Sequence, residues 1–483
     1  MISSKLLDPL AAYVDGKWQH SKSNATFDVT NPANGKLLCS VPQLSGAETA
    51  IAIEAAAQSL NIGSTIQQRS KWLLQLSDLI LENKRELGRI ITLEHGKPWP
   101  EAIGEAEYAA SFFRYYSDAV QHLVPKELEG RPRNHRWIVH YRPAGVVSLI
   151  TPWNFPLAML AKKFSAALAA DCASVVKPSS KTPLSMIALF SLIHQLGLPP
   201  GKANLVLGSA GEIGDVLCTH PAVRVVSFTG STDVGKKLMA MSAPHLKRLS
   251  LELGGNAPFI VFDDADLDRA VEAFVLNKFR GAGQTCVCAN RLYVHQKIAS
   301  DFAARLSERV RKMVVGDGIQ QGTDIGPLIN SGAREKVQRH FDDAIAHGAK
   351  CLTGGPTDLS VEQIKIGTFF PPAVLSGVTS QMACVNEETF GPLAPMIEFT
   401  DEAEVVREAN RTEYGLAAYI FTADAARAER VIAKLSFGHV GHNTGTGPTA
   451  EAPFGGMKQS GFGREGGIEG LHDFTEPQSV PRP

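Results

Sequence analysis

A cysteine in a glycine-rich stretch is the residue best suited to chemistry in this sequence. Cys286 ends the run Gly-Ala-Gly-Gln-Thr-Cys, and Arg280 lies six positions upstream. Glycines let other groups approach the backbone closely, and a thiol reacts as its thiolate, which nearby positive charge favours. The pattern predicts a sulfur that is presented to a substrate. The alternative is a structural cysteine, because a free cysteine commonly packs as a small apolar side chain.

A strand that runs into a helix start at residues 227–231 is a candidate phosphate site. The free N–H groups and the positive dipole end of a helix bind phosphate, and Ser231 would add a hydroxyl to the helix cap or to the ligand. The following residues approach a P-loop, but Lys237 stands where a magnesium-binding Ser or Thr is required. A phosphate-bearing ligand is expected. Magnesium-dependent triphosphate hydrolysis and an ordinary Gly-x-Gly-x-x-Gly dinucleotide site are disfavoured.

Alternating strands and helices must position these residues. Four strands alternate with four helices between residues 146 and 241, and a second such series runs from about 251 to 440. This alternation predicts parallel sheets with ligands at the carboxyl ends of the strands. Glu252-Leu-Gly-Gly255 is the expected boundary between the two series. Before them we expect a hairpin over Tyr13–Trp18 and helices over 46–122, one with apolar residues at helical spacing across Arg69–Leu93.

Composition excludes several classes of protein. The chain has 483 residues, a net charge of −1 and seven scattered cysteines. Such a charge gives no global field for nucleic acid or an anionic membrane, and an odd number of cysteines in a large chain argues against a disulfide scaffold. Neither a secretory signal, an apolar run of membrane-spanning length nor a zinc-spaced Cys/His cluster is present. We expect a cytoplasmic protein with two or more domains and no metal site.

Seven short motifs occur in one order along the chain. They are Thr151-Pro-Trp-Asn-Phe-Pro156, Val176-Lys-Pro-Ser179, Phe228-Thr-Gly-Ser231, Leu251-Glu-Leu-Gly-Gly255, Gly283-Gln-Thr-Cys286, Glu387-Glu-Thr-Phe-Gly-Pro392 and Pro453-Phe-Gly-Gly-Met-Lys458. Together they resemble the NAD(P)-dependent aldehyde dehydrogenase superfamily over essentially the whole chain.

The resemblance implies an α/β, aldehyde dehydrogenase-like fold with two doubly wound α/β domains and a small β oligomerisation arm. The NAD(P)-binding domain would comprise residues 1–123 and 142–252, and the catalytic domain residues 253–440. Residues 124–141 and 441–483 would form the arm and the C-terminal segment. A homodimer or homotetramer is the implied assembly.

The same resemblance assigns catalytic roles to Cys286, Glu252 and Asn154. Thiolate attack on an aldehyde gives a tetrahedral thiohemiacetal, from which hydride can leave to a nicotinamide ring. The Asn154 amide and the Cys286 backbone N–H would stabilise the oxyanion, and Glu252 would activate the water that hydrolyses the thioester. Without the resemblance, the sequence favours a Glu252 carboxylate paired with a nearby Lys or Arg, and an Asn154 that is only a turn residue.

The implied cofactor is NADP or NAD. Lys177 would contact the adenosine ribose, Glu388 the nicotinamide ribose and Phe390 the ring. NAD-preferring relatives often have Glu where this chain has Ser180, and serine removes the repulsion of a 2′-phosphate. We therefore predict that NADP is accepted, the alternative being a neutral substitution that leaves NAD dominant. The full cofactor-binding set is Trp153, Asn154, Lys177, Ser180, Gly230, Ser231, Leu253, Glu388 and Phe390.

Within the superfamily, the stretch from Phe279 to Cys288 resembles the succinate semialdehyde dehydrogenase branch. There an arginine at the position of Arg280 pairs with the distal carboxylate of the substrate, as guanidinium does well. This chain departs from that branch at Lys162, where arginine is usual, and at Pro448, where serine is usual. An ω-carboxy aldehyde is expected, with succinate, glutarate and 2-oxoglutarate semialdehydes or a broader aliphatic range left open.

Other interpretations of these features also remain open. Cys288 lies two residues from Cys286, so a redox bridge between the two is a hypothesis, and simple core packing is its alternative. The rival classes are a P-loop-like hydrolase, a binding or structural protein of the same fold, and a relative that releases its acyl group to coenzyme A. Glu252 argues for hydrolysis over transfer to coenzyme A.

Overall fold

The computed structural model describes residues 2–130 and 132–483, which form strands and helices in the predicted alternation. The strands are β1 Ala12–Val14, β2 Lys17–Gln19, β3 Thr26–Thr30, β4 Leu37–Pro42, β5 Lys126–Glu127, β6 Arg136–Pro143, β7 Val146–Ile150, β8 Ala173–Lys177, β9 Ala203–Leu205, β10 Val223–Thr229, β11 Arg248–Glu252, β12 Ala257–Val261, β13 Ala289–His295, β14 Lys350–Thr353, β15 Ala373–Ser376, β16 Leu393–Phe399, β17 Ala417–Phe421, β18 His439–His442, β19 Gly461–Phe462 and β20 Thr475–Arg482.

The α-helices separate these strands and cover the sheets. They are α1 Gly46–Ser59, α2 Ile66–Glu82, α3 Lys84–His95, α4 Trp99–Ala119, α5 Pro156–Ala169, α6 Leu184–Gln195, α7 Ala210–Thr219, α8 Thr232–Ser242, α9 Leu267–Phe279, α10 Gln296–Arg311, α11 Ser331–Ala346, α12 Val361–Ile366, α13 Ala383–Asn386, α14 Glu402–Asn410, α15 Ala425–Ile432 and α16 Glu469–His472. Short 3₁₀ turns include Val120–Leu123 and Arg280–Gly283.

The first sheet has the strand order β19-β11-β10-β7-β8-β9-β1-β2. Strands β7 to β11 run parallel, and the hairpin β1–β2 joins the edge antiparallel. The predicted hairpin is confirmed: Tyr13 pairs with Trp18, and the turn at Asp15-Gly16 has φ values of 53° and 76°, which suit a short turn. Helix α4 packs against α2, α3 and α5 in the core on one side of this sheet.

The second sheet has the order β14-β15-β16-β13-β12-β17-β18, and all its neighbours are parallel except β14 and β15. The chain leaves the first sheet at the end of β11 and enters the second at β12, across the predicted boundary at residues 252–255. Strand β12 is buried along its whole length, as expected for a central parallel strand. Its Phe259 stacks on Phe421 of β17, with ring centroids 4.8 Å apart.

A third sheet joins the expected arm to the C-terminus. Strand β20 pairs antiparallel with β6, from Thr475 opposite Pro143 to Arg482 opposite Arg136, and β5 pairs with the other edge of β6. The C-terminal segment is therefore divided, because β19 joins the first sheet and β20 the third. Strand β6 continues two residues past 141, the predicted end of the arm segment. Strand β18 continues two residues past 440, the predicted end of the catalytic domain. The functional division into domains stays a prediction.

The helix across Arg69–Leu93 is interrupted, contrary to the apolar spacing. Asn83 ends α2 with φ −101° and ψ 8°, and α3 begins at the next residue. The Asn83 amide donates a hydrogen bond of 2.8 Å to the carbonyl of Leu79. An asparagine side chain competes in this way for backbone groups of the last turn, which the apolar pattern does not report.

Among the described residues, no helix is both long and apolar enough to cross a membrane.

Candidate active site

A cavity of about 500 Å³ opens at the carboxyl ends of β7, β10 and β11, and residues from the segments of both large sheets line it. This is where ligands are expected in such sheets. Most of the residues that the sequence singled out line it, namely Trp153, Asn154, Lys162, Gly230, Ser231, Glu252, Leu253, Arg280, Cys286, Glu388, Phe390 and Pro448. Tertiary structure thus brings together motifs that lie up to about 300 residues apart in the chain.

Cys286 is half-buried at the wall of this cavity. It follows the 3₁₀ turn Arg280–Gly283, and its carbonyl lies so close to Gly255 that a side chain there would approach to 2.5 Å. Glycine at 255 is therefore required for the two loops to meet. Burial raises the pKa of the Cys286 thiol to about 12, and the positive charge of Lys162 opposes that rise. The resting thiol is protonated, and its thiolate must form during the reaction.

Asn154 lies in the turn between β7 and α5 and lines the cavity. One N–H of the amide donates to the carbonyl of Gln284 at 3.0 Å. Because an amide nitrogen carries two hydrogens, the second remains available to an oxygen in the cavity. Gln284 lies two residues before Cys286, so this bond also ties the asparagine to the loop that bears the thiol.

Glu252 ends β11 and is 3% exposed. Within residues 2–130 and 132–483, neither of its carboxylate oxygens has a hydrogen-bond partner. Burial raises the pKa of Glu252 well above its usual range, and the neighbouring Glu465 carboxylate adds to the rise. A side chain at Gly455 would come within 2.8 Å of Glu252 Oε1, so glycine leaves room for the carboxyl. An unpartnered carboxyl of raised pKa can accept a proton from water.

Lys162, Lys163 and Glu465 lie around Glu252. Of these, only Lys162 was predicted from the sequence as a site residue. Glu465 pairs with Lys163 at 2.5 Å and with Lys162 at 3.8 Å, and all three side chains are buried. Lys162 also lies 4.7 Å above the ring of Phe454. Consecutive lysines within the apolar helix α5 were a usable signal, because a buried charge requires a partner. Nothing in the sequence indicated that Glu465 was that partner.

A second cluster in the cavity surrounds Glu388. One of its carboxylate oxygens accepts the backbone N–H of Gly255 at 3.0 Å. Burial raises the pKa of Glu388 to about 7, and the bond from Gly255 works against the rise. Phe390 adopts φ 55° and meets Trp153 edge to face, with ring centroids 5.6 Å apart. The cluster presents a carboxyl and two aromatic rings to a ligand.

The cavity wall near α8 has the helix start that the sequence predicted. Ser231 caps α8, and its hydroxyl accepts the N–H of Val234 at 3.4 Å. Gly230 donates its N–H to the carbonyl of Glu252 at 3.1 Å, and the backbone of Leu253 donates to Ser460 at 2.9 Å. The helix start therefore opens directly into the space beside Glu252, where a phosphate group would meet its dipole.

Comparison with known proteins settles the family. Residues 18–480 match the model of the aldehyde dehydrogenase family. The chain belongs to this family. It is 47% identical over 467 residues to a glutarate-semialdehyde dehydrogenase of Pseudomonas putida, covering 96% of each chain. It has the same identity, length and coverage with a succinate-semialdehyde dehydrogenase [NADP(+)] of Escherichia coli.

Solved structures agree with the family assignment. An oxidoreductase from Marinobacter aquaeolei is 55% identical, with a TM-score of 0.97 and full coverage of both chains. A betaine aldehyde dehydrogenase from Staphylococcus aureus in complex with NAD⁺ is 35% identical, with a TM-score of 0.94, covering 99% of this chain and 96% of its own. The predicted aldehyde dehydrogenase-like α/β fold is confirmed.

Two predicted cofactor residues of this aldehyde dehydrogenase lie outside the main cavity. Lys177 is buried, and its ammonium group donates to the carbonyl of Pro178 at 3.0 Å. Burial lowers the pKa of Lys177 to about 8. Ser180 lines a separate cavity of about 440 Å³ together with Lys181, whose ammonium lies 5.6 Å from the ring of Trp153. Trp153 thus lies between the two cavities.

Arg280 and Cys288 differ in their access to substrate. Arg280 is exposed to the cavity, and its guanidinium lies 5.1 Å from the ring of Phe155. Cys288 is buried away from it, with its sulfur 3.4 Å from the carbonyl of Gly283 and 3.6 Å from the ammonium of Lys278. Both Cys286 and Cys288 are free thiols. A redox bridge between them stays a prediction.

Proposed function

We propose that this aldehyde dehydrogenase oxidises an aldehyde with a distal carboxylate, such as succinate semialdehyde, with reduction of NADP or NAD. The observation that carries the proposal is a single cavity shared by a thiol, an amide donor, an unpartnered carboxyl and an arginine, namely Cys286, Asn154, Glu252 and Arg280. Similarity to a glutarate-semialdehyde dehydrogenase and a succinate-semialdehyde dehydrogenase supports an aldehyde of this class.

The first half of the reaction would use Cys286 and Asn154. The sulfur of Cys286 passes its proton to solvent water and bonds to the carbonyl carbon, giving a tetrahedral adduct with a negative oxygen. The free N–H of Asn154 and the backbone N–H of Cys286 stabilise that oxygen. Bound NADP or NAD supplies the hydride acceptor. After hydride loss the acyl group remains on the sulfur as a thioester.

The second half would use Glu252. Its carboxylate takes a proton from water as the water attacks the thioester carbon, and the C–S bond then breaks to release the acid. The pKa of Glu252 is raised, first by burial and then by Glu465, which makes its carboxylate a stronger base. Lys163 lies 2.5 Å from Glu465, and its positive charge balances the negative charge of the two neighbouring carboxyl groups, Glu252 and Glu465.

The residues around the cavity fit NADP or NAD. The start of α8 and the hydroxyl of Ser231 suit a pyrophosphate, Glu388 can accept ribose hydroxyls, and Phe390 with Trp153 offers apolar contact to a ring. The NAD⁺ bound in the Staphylococcus aureus structure and the NADP(+) named for the Escherichia coli relative support this class of cofactor. Ser180 would allow NADP to bind, because a serine at this position, unlike a glutamate, does not repel the 2′-phosphate.

Arg280 would bind the distal carboxylate of the substrate, with Lys162 as a second positive charge deeper in the cavity. Lys162 is already paired with Glu465 at 3.8 Å and surrounded by aromatic rings, so the exposed guanidinium of Arg280 is the freer partner. Glutarate semialdehyde is the second candidate, because a relative at the same identity bears that name.

We also propose the arrangement of domains and subunits. The first sheet would bind the cofactor, the second would carry the catalytic thiol, and the third sheet of β5, β6 and β20 would join subunits into a homodimer or homotetramer. The exposed edge strand β20 supports this role, since an edge strand is a ready interaction surface. We also propose a cytoplasmic location, because free thiols such as the seven in this chain are kept reduced in the cytosol.

Absorbance at 340 nm, followed with both cofactors over succinate semialdehyde, glutarate semialdehyde and propanal, tests the proposal. We expect the carboxylated aldehydes to give higher kcat/KM than propanal. Equal values for all three would contradict the role of the carboxylate. We expect the Cys286→Ala variant to show no turnover and the Cys288→Ala variant to show normal turnover. Full activity of Cys286→Ala would refute the mechanism.

A further inference from the structure

A buried ion pair lies between α3 and α4, outside the set of residues assigned above. The ammonium of Lys97 contacts Glu105 Oε2 at 2.5 Å, and the side chains are 1% and 0% exposed. Burying two charges carries a large desolvation cost, so such a pair is weak evidence for a gain in stability. The contacts that the pair makes with other elements indicate what it does.

Both members of the pair contact the turn that carries Asn154. Lys97 donates a second hydrogen bond, of 2.8 Å, to the backbone carbonyl of Asn154, and its ammonium lies 3.8 Å from the ring of Phe155. Glu105 Oε1 accepts the N–H groups of Leu157 and Ala158 at 2.9 and 3.3 Å. The carboxylate thus caps the start of α5, where negative charge is favourable.

The same segment also holds the loop that carries Arg280. Glu101, in the first turn of α4, accepts the backbone N–H of Gly281 at 2.8 Å. Gly281 has φ 57° and follows Arg280 directly, so the bond sets the backbone from which the guanidinium extends. One helix start therefore contacts both the amide donor and the arginine of the cavity.

We propose that Lys97 and Glu105 are positioning residues for Asn154, and that Glu101 is a positioning residue for Arg280. The inference rests on the proposed function, in which Asn154 stabilises an oxyanion and Arg280 binds a carboxylate. Lys97 and Glu105 fix the backbone on both sides of Asn154, and the Gln284 carbonyl fixes its amide. A displacement of about 1 Å at a catalytic group lowers the rate about 10²-fold.

The test distinguishes the Lys97–Glu105 pair from Glu101, because the pair should affect the rate with every aldehyde and Glu101 only KM for a carboxylated one. The double variant Lys97→Met/Glu105→Gln removes both charges and keeps an oxygen acceptor for α5, so it leaves no buried charge unpaired. We expect its single-turnover rate of NADPH formation to fall about 10²-fold with every aldehyde. Alkylation of Cys286 by iodoacetamide and the Kd of NADPH should not change. Glu101→Leu should instead raise KM for succinate semialdehyde about tenfold and leave propanal unaffected.

Lys202→Met is the matched control for the double variant. Lys202 is also a buried lysine ion-paired with an aspartate, Asp171, but neither residue lines the cavity. This control should lower the melting temperature and leave the single-turnover rate unchanged. The positioning role is overturned if the double variant turns over at the parental rate, or if Lys202→Met slows turnover as much as the double variant does.

Asn154→Ala distinguishes failure of this inference from failure of the proposed function. If Asn154→Ala is slow while the double variant is not, the oxyanion role stands and the positioning role of Lys97 and Glu105 is wrong. If Asn154→Ala itself reacts at the parental rate, the proposed function loses its oxyanion donor. Likewise, a Glu101→Leu variant with unchanged KM while Arg280→Ala raises it would overturn the role of Glu101 alone.

Discussion

Burial shifts the pKa of both proposed catalytic side chains, Cys286 and Glu252. It raises the pKa of the Cys286 thiol to about 12 and the pKa of Glu252 well above its usual range. Burial therefore favours the neutral form of both groups over the charged form. Lys162 is the nearby positive charge that favours the thiolate.

Glu252→Gln should separate the two halves of the reaction. Without a base, thioester hydrolysis should slow about 10²- to 10⁴-fold, while the first turnover of NADPH formation persists as a burst. In the parent, the hydrolysis rate should rise with pH through the raised pKa of Glu252, since only the carboxylate accepts a proton, and the variant should lose that rise. Stopped-flow absorbance at 340 nm measures both phases.

A buried carboxyl elsewhere provides the control for Glu252→Gln. Glu48 is 7% exposed and caps α1, away from the cavity. Glu48→Gln should keep both the burst and the steady-state rate. Loss of the burst in Glu252→Gln would show that the residue acts before the thioester forms and would contradict its assignment as the base for hydrolysis.

Arg280→Ala should raise KM for succinate semialdehyde about tenfold to a hundredfold, which is the usual cost of a lost charge-assisted hydrogen bond. KM for propanal should change by less than about twofold, because propanal has no carboxylate for the guanidinium to bind. Steady-state kinetics with the two aldehydes provide the measurement.

Lys162→Met is the companion to Arg280→Ala. Its effect on KM should be smaller, because Lys162 already pairs with Glu465. Equal effects of Arg280→Ala on succinate semialdehyde and propanal would refute the assignment of Arg280. If Lys162→Met raised KM for succinate semialdehyde selectively and by more than Arg280→Ala does, Lys162 and not Arg280 would be the residue that binds the substrate carboxylate.

At the scale of elements, the connections after β7, β8, β10 and β11 carry the proposed chemistry. Parallel strands bring their carboxyl ends to one edge, so loops far apart in sequence meet there. The β7–α5 turn bears Asn154, the β10–α8 turn bears Ser231, and β11 ends at Glu252. The β8–α6 connection bears Ser180 and lies at a neighbouring cavity.

Ser180→Glu in that connection should shift cofactor preference toward NAD. A carboxylate at this place would repel a 2′-phosphate and accept ribose hydroxyls, so kcat/KM for NADP should fall at least about tenfold, the effect of roughly 1.4 kcal/mol. Ser209→Ala, at another residue of the same cavity, is the control and should change the ratio little. A parent enzyme that already prefers NAD strongly would contradict the prediction.

At the scale of the whole molecule, the third sheet leaves an apolar pair half-buried. Ile138 of β6 lies opposite Val480 of β20, and both side chains remain partly exposed in the single chain. A partner subunit that covers this sheet would bury them.

The double variant Ile138→Asp/Val480→Asp should therefore reduce the mass in solution to that of one 51.9 kDa chain. Light scattering after size-exclusion chromatography measures that mass. Leu246→Asp, at a side chain that is 91% exposed outside this sheet, should leave the assembly intact. A parent protein that is already monomeric would refute the role of the third sheet.

The sequence by itself determined the family and the alternation of strands and helices, and its motifs predicted Cys286, Glu252 and Asn154 as the catalytic residues. These follow from local patterns: periodicity, turn residues and motifs that are each contiguous in the chain. The break at Asn83 was the exception among the helices, because it depends on a side-chain hydrogen bond that apolar spacing does not report.

Tertiary structure alone decided which charges meet. Glu465 is 302 residues from Lys163, and Lys97 reaches Asn154 across 57 residues. Such pairs have no local signature, since a buried charge finds its partner only when separate elements pack together. Protonation states belong to the same class of information, because the pKa values of Cys286, Glu252 and Glu388 are raised first of all by burial.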